Sequence, residues 1–137
     1  MAGTEDAAGT RVALGASTRS GTAVVWLAPG DDATGPAEIS RTSLSLGLGA
    51  TRGLSMHGAF GEVEVLARGT GASGRSELSW VSIASDGALS EPVTVARAYE
   101  IGAARFARAE ARGGAIAYVA ADETNRADVW LQRVSCE

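Results

Sequence analysis

A catalytic site needs a nucleophile, a base or a charge held in place, and this chain offers few candidates. Its single histidine, His57, follows Leu54-Ser55-Met56. A general base requires a nucleophile or a water within reach. The sequence contains no second histidine and no G-x-S-x-G segment, so His57 reads as a strand-end histidine rather than a catalytic one. One cysteine, Cys136, excludes an intrachain disulfide, and one histidine with one cysteine excludes the usual zinc clusters. Cys136 is either an incidental thiol or a crosslink between chains. Acids are paired at Asp31-Asp32 and at Asp122-Glu123. Such pairs could hold calcium or a cationic ligand, but the D-x-D-x-D-G spacing of a calcium loop is missing, and turn formation is the better reading. Trp26, Trp80 and Trp130 could stack on sugars if exposed; inside strands they belong to a core. No catalytic residue, metal ligand or cofactor is therefore assigned, and ligand-binding residues stay unknown.

Composition narrows the classes further. The 137 residues make one domain or part of one. A hydrophobic share of 45% and a charged share of 20% are globular values and argue against a fully disordered chain. No run approaches the roughly 18 to 20 apolar residues of a spanning helix, so no membrane insertion is expected. The net charge is −4 and the pI near 5.0. Nucleic acid and anionic membranes recruit positive surfaces, so neither is an expected partner. All 12 basic residues are arginine, scattered from Arg11 to Arg133; with 27 alanines and 18 glycines they read as GC-rich codon usage. Met1 to Thr10 has neither the basic nor the apolar region of a secretory signal, and the residues alone leave the compartment unknown.

Whatever chemistry these residues do must be positioned by a repeat. Three segments share one pattern: an apolar strand, a turn closing on glycine, and a second apolar strand. They are Val12–Gly15 with Ala23–Ala28, Leu54–Met56 with Val63–Ala67, and Ala104–Ala107 with Ala115–Ala120. The closing glycines are Gly21, Gly61 and Gly114, spaced by 40 and 53 residues. A polar loop follows each second strand, at Pro29–Gly35, Arg68–Arg75 and Asp122–Ala127, and then comes a third strand. Trp80 and Trp130, 50 residues apart, match within those third strands. In the middle unit Ser85-Asp86-Gly87 turns into a fourth strand, Glu91–Ala96, whose Pro92 suits an edge. Ala23–Ala28 and Ala115–Ala121 are continuously apolar, as strands covered on both faces should be; Glu62–Ala67 alternates, as a strand with one wet face should. Val95–Arg112 has helix-forming composition, but Gly102 and the alternation over 105–112 favour strand. The expected fold is all-β: antiparallel four-stranded meander repeats, a partial β-propeller. A flexible tail covers 1–10, and units of about 11–50, 51–96 and 103–137 follow, the last incomplete.

One stretch is more specific. Asp122-Glu123-Thr124-Asn125-Arg126-Ala127-Asp128-Val129-Trp130-Leu131-Gln132-Arg133-Val134 resembles a bacterial β-propeller repeat of the form W-x-D-x-R-x-G-x-x-D-I-Y-x-x-R-V-x-x-D-G. Ile116–Ala120 fits the strand before it, with alanine in place of the tryptophan that Trp26 supplies in the first unit. Ser82–Leu89 fits its end without the arginine. Ser85-Asp86-Gly87 partly resembles the Asp box of sialidase propellers, without its following tryptophan. The resemblance covers most of residues 11–137. It implies an exported or surface-attached bacterial protein at the cell envelope, and it implies that Asp122, Arg126 and Asp128 brace their loop by ionic hydrogen bonds. Closed propellers have about four to eight blades. The chain is therefore expected either to lack blades that a longer chain supplies or to close a ring as a homodimer. The expected function is a non-catalytic binding or scaffold module for a protein or glycan ligand. The alternative is part of a propeller-based hydrolase or lyase whose active residues lie mostly elsewhere; an acid pair and an arginine triad converging on one loop face would favour it.

Overall fold

The computed structural model describes residues 2–6, 9–18, 21–28, 35, 37–59, 62–84, 86–110 and 113–135. Short runs of apolar and β-branched residues, broken by glycine and aspartate turns, leave the chain few alternatives to strand. The first sheet is β1 (Ala2–Asp6), β2 (Gly9–Thr18), β3 (Gly21–Ala28) and β4 (Ala37–Leu44). The second is β5 (Ala50–Ala59), β6 (Glu62–Thr70), β7 (Ser76–Ala84) and β8 (Val93–Ala98). The third is β9 (Glu100–Glu110), β10 (Gly113–Ala121) and β11 (Ala127–Ser135). Every ladder is antiparallel and joins chain neighbours. The protein is all-β, and no helix stands among the described residues. Val95–Ala98 and Glu100–Glu110 are strand, and Pro92 lies just ahead of β8, where its missing N–H costs no ladder bond.

The sheets stack with the second in the middle. Ala13, Val24 and Trp26 of the first sheet pack on Val63, Val65, Ala67, Val81 and Ile83 of the second, and Leu46 from the connecting segment closes this core. The opposite face of the second sheet, through Leu66 and Leu78, packs on Ile101, Ala104, Ile116 and Tyr118 of the third. The Arg68 guanidinium also donates to the Ile101 carbonyl at 2.9 Å. The first strands gather: β5 packs on β1, β2 and β3, and β9 packs in the same way on β5, β6 and β7. The stack is thus a fan, closed at β1, β5 and β9.

The fan corrects four expectations. Residues 1–10 are not all tail, because Ala2–Asp6 pairs with β2 in the register Ala2↔Ala13 to Asp6↔Gly9. Backbone pairing fixes such a strand, and an acidic, small-residue composition does not prevent it. The first sheet therefore starts ahead of residue 11. The three hairpins expected to be equivalent also do not hold the same place in their sheets. The hairpin β2–β3 occupies the place of β6–β7 and β10–β11, not that of β5–β6 and β9–β10. Ala13, Leu66 and Tyr118, directly opposite Trp26, Trp80 and Trp130, are then spaced by 53 and 52 residues, and the irregular 40 disappears. Consequently the 29–36 connection joins a third strand to a fourth and is not equivalent to 71–75 and 122–126. Finally, the covered and open strands are exchanged. β6 is buried on both faces, Glu64 included at 3% exposure, because a sheet lies on either side of it. β3 alternates between buried and half-buried positions, as β10 does over Gly114–Ala121. Their continuous apolar runs leave one face uncovered.

Candidate functional site

Two loops define the most elaborate surface. Gly71–Arg75 links β6 to β7, and Asp122–Arg126 links β10 to β11, the same connection in successive sheets. Both are one five-residue turn. The first N–H donates to the fifth carbonyl, Gly71 to Arg75 at 2.9 Å and Asp122 to Arg126 at 3.1 Å. The fourth N–H donates to the first carbonyl, Gly74 to Gly71 at 3.0 Å and Asn125 to Asp122 at 3.1 Å. The fourth residue has positive φ, 77° at Gly74 and 63° at Asn125, which selects glycine or asparagine. Ala84–Ala88 repeats the pattern, with Gly87 at φ 86°. Arginine as the fifth residue behind Gly or Asn was the available sequence signal for the equivalence of 71–75 and 122–126.

In the second of these turns Asp122 Oδ1 accepts from Thr124 N (2.8 Å), Thr124 Oγ1 (2.7 Å) and Arg126 N (3.1 Å). The Thr124 hydroxyl, then the Arg126 and Thr124 amides, hold its carboxyl below the usual aspartate range. So Asp122 and Arg126 do brace the loop, but Arg126 contributes its backbone N–H. Asp128 is exposed, is paired along the ladder with Ala120, and lines the cleft rather than the turn. The two turns are tied by Arg75 Nη2 to Glu123 Oε1 at 2.7 Å.

Between β8 and β10–β11 the fan opens into a cleft of about 580 Å³. Tyr118 is its buried floor, and Tyr99 and Trp130 stand 59% and 54% exposed on its walls. Arg75, Arg97 and Arg126 line it together with Asp122, Glu123 and Asp128. Arg97 Nε reaches Glu77 Oε1 at 2.8 Å, and that glutamate is buried. A second hollow of about 630 Å³, on the other side of the Arg75–Glu123 pair, is lined by Arg52, Arg68, Arg75 and Glu100 among others. Sequence reasoning did not single out Tyr99, Arg97 or Glu77; Tyr99 is the single residue between β8 and β9.

The tryptophans part company. All three lie on third strands, β3, β7 and β11. Trp26 is core at 1% exposure, and Trp80 packs against the second core. Their Nε1 groups are buried without hydrogen-bond partners among the described residues, where both rings contribute volume rather than polar contacts. Trp130, expected in the core, faces the cleft instead. His57 lies within β5, its ring 5.9 Å from that of Phe106 at 55°, packed between strands. Asp31-Asp32, Gly61, Ser85 and Cys136 lie outside the described residues. Among the described residues, no three His, Cys, Asp or Glu side chains converge as a metal site. No protein-family model, curated protein or solved structure matches the chain.

Proposed function

We propose that this chain is a non-catalytic binding or scaffold module, a fragment or subunit of a larger propeller-like ring, displaying loops to proteins or glycans at a bacterial cell envelope. One observation carries the reading: β3 and β10 have the apolar sequences of strands covered twice, yet each is covered once. On the open face of the third sheet Val129 and Leu131 are 79% and 76% exposed, beside Ala117 and Val119. Contiguous apolar surface of this kind marks an interface. The gathering of β1, β5 and β9 at one end of the fan is the arrangement a ring would extend. The five-residue turns stand on the strand ends of this sheet scaffold, where binding side chains are commonly carried.

Light scattering with circular dichroism tests this reading. The wild-type chain is expected to be β-rich and to exceed its 13.9 kDa monomer mass as concentration rises. A Val129→Ser/Leu131→Ser double variant is expected to stay monomeric with the same spectrum. A β-rich wild-type monomer that remains monomeric near 0.5 mM would sink the reading that copies of this chain cover these open faces, since self-association would then be weaker than roughly millimolar.

The hydrolase or lyase alternative has one observation in its favour: three arginines and three acids line one cleft. Against it, Asp122 is committed to its turn, Glu123 to Arg75, and Arg97 to Glu77.

A further inference from the structure

We infer that the outer edge of β11 is a receptor for an added β-strand, so that the third sheet takes its fourth strand from an extended peptide. The inference rests on the module reading and names the kind of partner. The first and second sheets each place a fourth strand, β4 and β8, beside the third. β11 is third in its sheet and has no neighbour on its outer side among the described residues. The consequence is visible along its length. β7, its counterpart, is buried or half-buried from end to end, whereas β11 is exposed from Ala127 to Arg133. An open strand edge presents unpaired N–H and C=O groups and is a template for pairing. The cleft between β8 and β11 adds space on one side, with Trp130 exposed in its wall.

The chain itself shows what fits. In the second sheet β8 runs antiparallel to β7 with Val93 directly opposite Trp80. Trp130 occupies the same place as Trp80, so the matching partner is an antiparallel segment with a β-branched side chain opposite Trp130. Side chains on its other face would cover Val129 and Leu131, and the residue in the place of Arg97 would stand opposite Ala127. Main-chain hydrogen bonds would supply affinity and the pockets beside Trp130 the specificity, as in strand addition generally. Glu91–Ala98, with Val93, Val95 and Arg97, is such a segment.

The test uses a synthetic peptide of the Glu91–Ala98 sequence and the full chain, at a concentration where light scattering gives the monomer. Amide hydrogen exchange is followed residue by residue. Saturating peptide is expected to slow alternate amides of Ala127–Gln132 by about tenfold or more. The same peptide N-methylated at alternate residues keeps its side chains but cannot pair, and is expected to leave these rates unchanged. No slowing with the unmodified peptide overturns the inference. Equal slowing with the N-methylated peptide also overturns it, because docking would then be through side chains alone. Either failure leaves the assembly measurement on the open faces untouched.

Discussion

A single carboxylate oxygen of Asp122 organises the turn before β11, accepting from Thr124 twice and from Arg126 once. Because these bonds favour the ionised form, the carboxyl titrates below an ordinary aspartate. Its contribution to the turn is therefore complete above the unfolded value of roughly 4 and is lost as pH falls through the lower folded value. In an NMR titration the Thr124 and Arg126 amide shifts are expected to move together below pH 4, and the Asp122→Ala variant to show no such transition. A midpoint at or above that of a peptide aspartate would contradict the assignment. At this scale the sequence was partly legible. The resemblance implied ionic bracing by Asp122, Arg126 and Asp128, but of these only the Asp122 carboxylate holds the turn, and that Arg126 acts through its amide depends on the turn's backbone. The tryptophans were legible as large strand residues and not as a set with one fate. Whether Trp130 is buried depends on what lies beside β11, and no local pattern encodes that.

Strands were easier to find than to place. Alternation and turn residues locate nearly every element, and β8 and β9 emerge correctly from a segment with helical composition. Faces were misread because alternation reports polarity, not coverage: Glu62-Val63-Glu64-Val65 looks half-wet, yet the first and third sheets cover its strand from both sides. β1 was missed because a strand held by its backbone needs no apolar signature. Gly114 was singled out as a turn glycine, but its importance lies in packing. A Cβ there would stand 2.7 Å from the Ala107 carbonyl oxygen and 2.7 Å from the Phe106 ring. The neighbouring backbone cannot yield cheaply, so Gly114→Ala should cost on the order of 1–3 kcal/mol in urea unfolding. Gly102→Ala, whose Cβ would meet Val119 at an ordinary 3.4 Å, should cost much less. Equal losses would mean that backbone freedom, not space, decides both positions.

At the scale of the molecule, the second sheet is held from two sides and its neighbours from one. Stability should follow that order. Native-state hydrogen exchange is expected to be slowest in β6 and β7 and faster in β3 and β10, despite the more apolar sequences of the latter. Equal protection across the three sheets would mean that the stack opens only as a unit. Because every ladder joins chain neighbours, order of synthesis has a consequence of its own. The first sheet can complete all its pairing once Leu44 has left the ribosome, yet Trp26 and Val24 have nothing to pack on until Val63–Ile83 follows. For the interval needed to make some forty residues, roughly 2–8 s at typical elongation rates, the nascent chain carries a finished sheet with a bare tryptophan face. That interval, rather than any step of strand pairing, is when this protein most needs a chaperone.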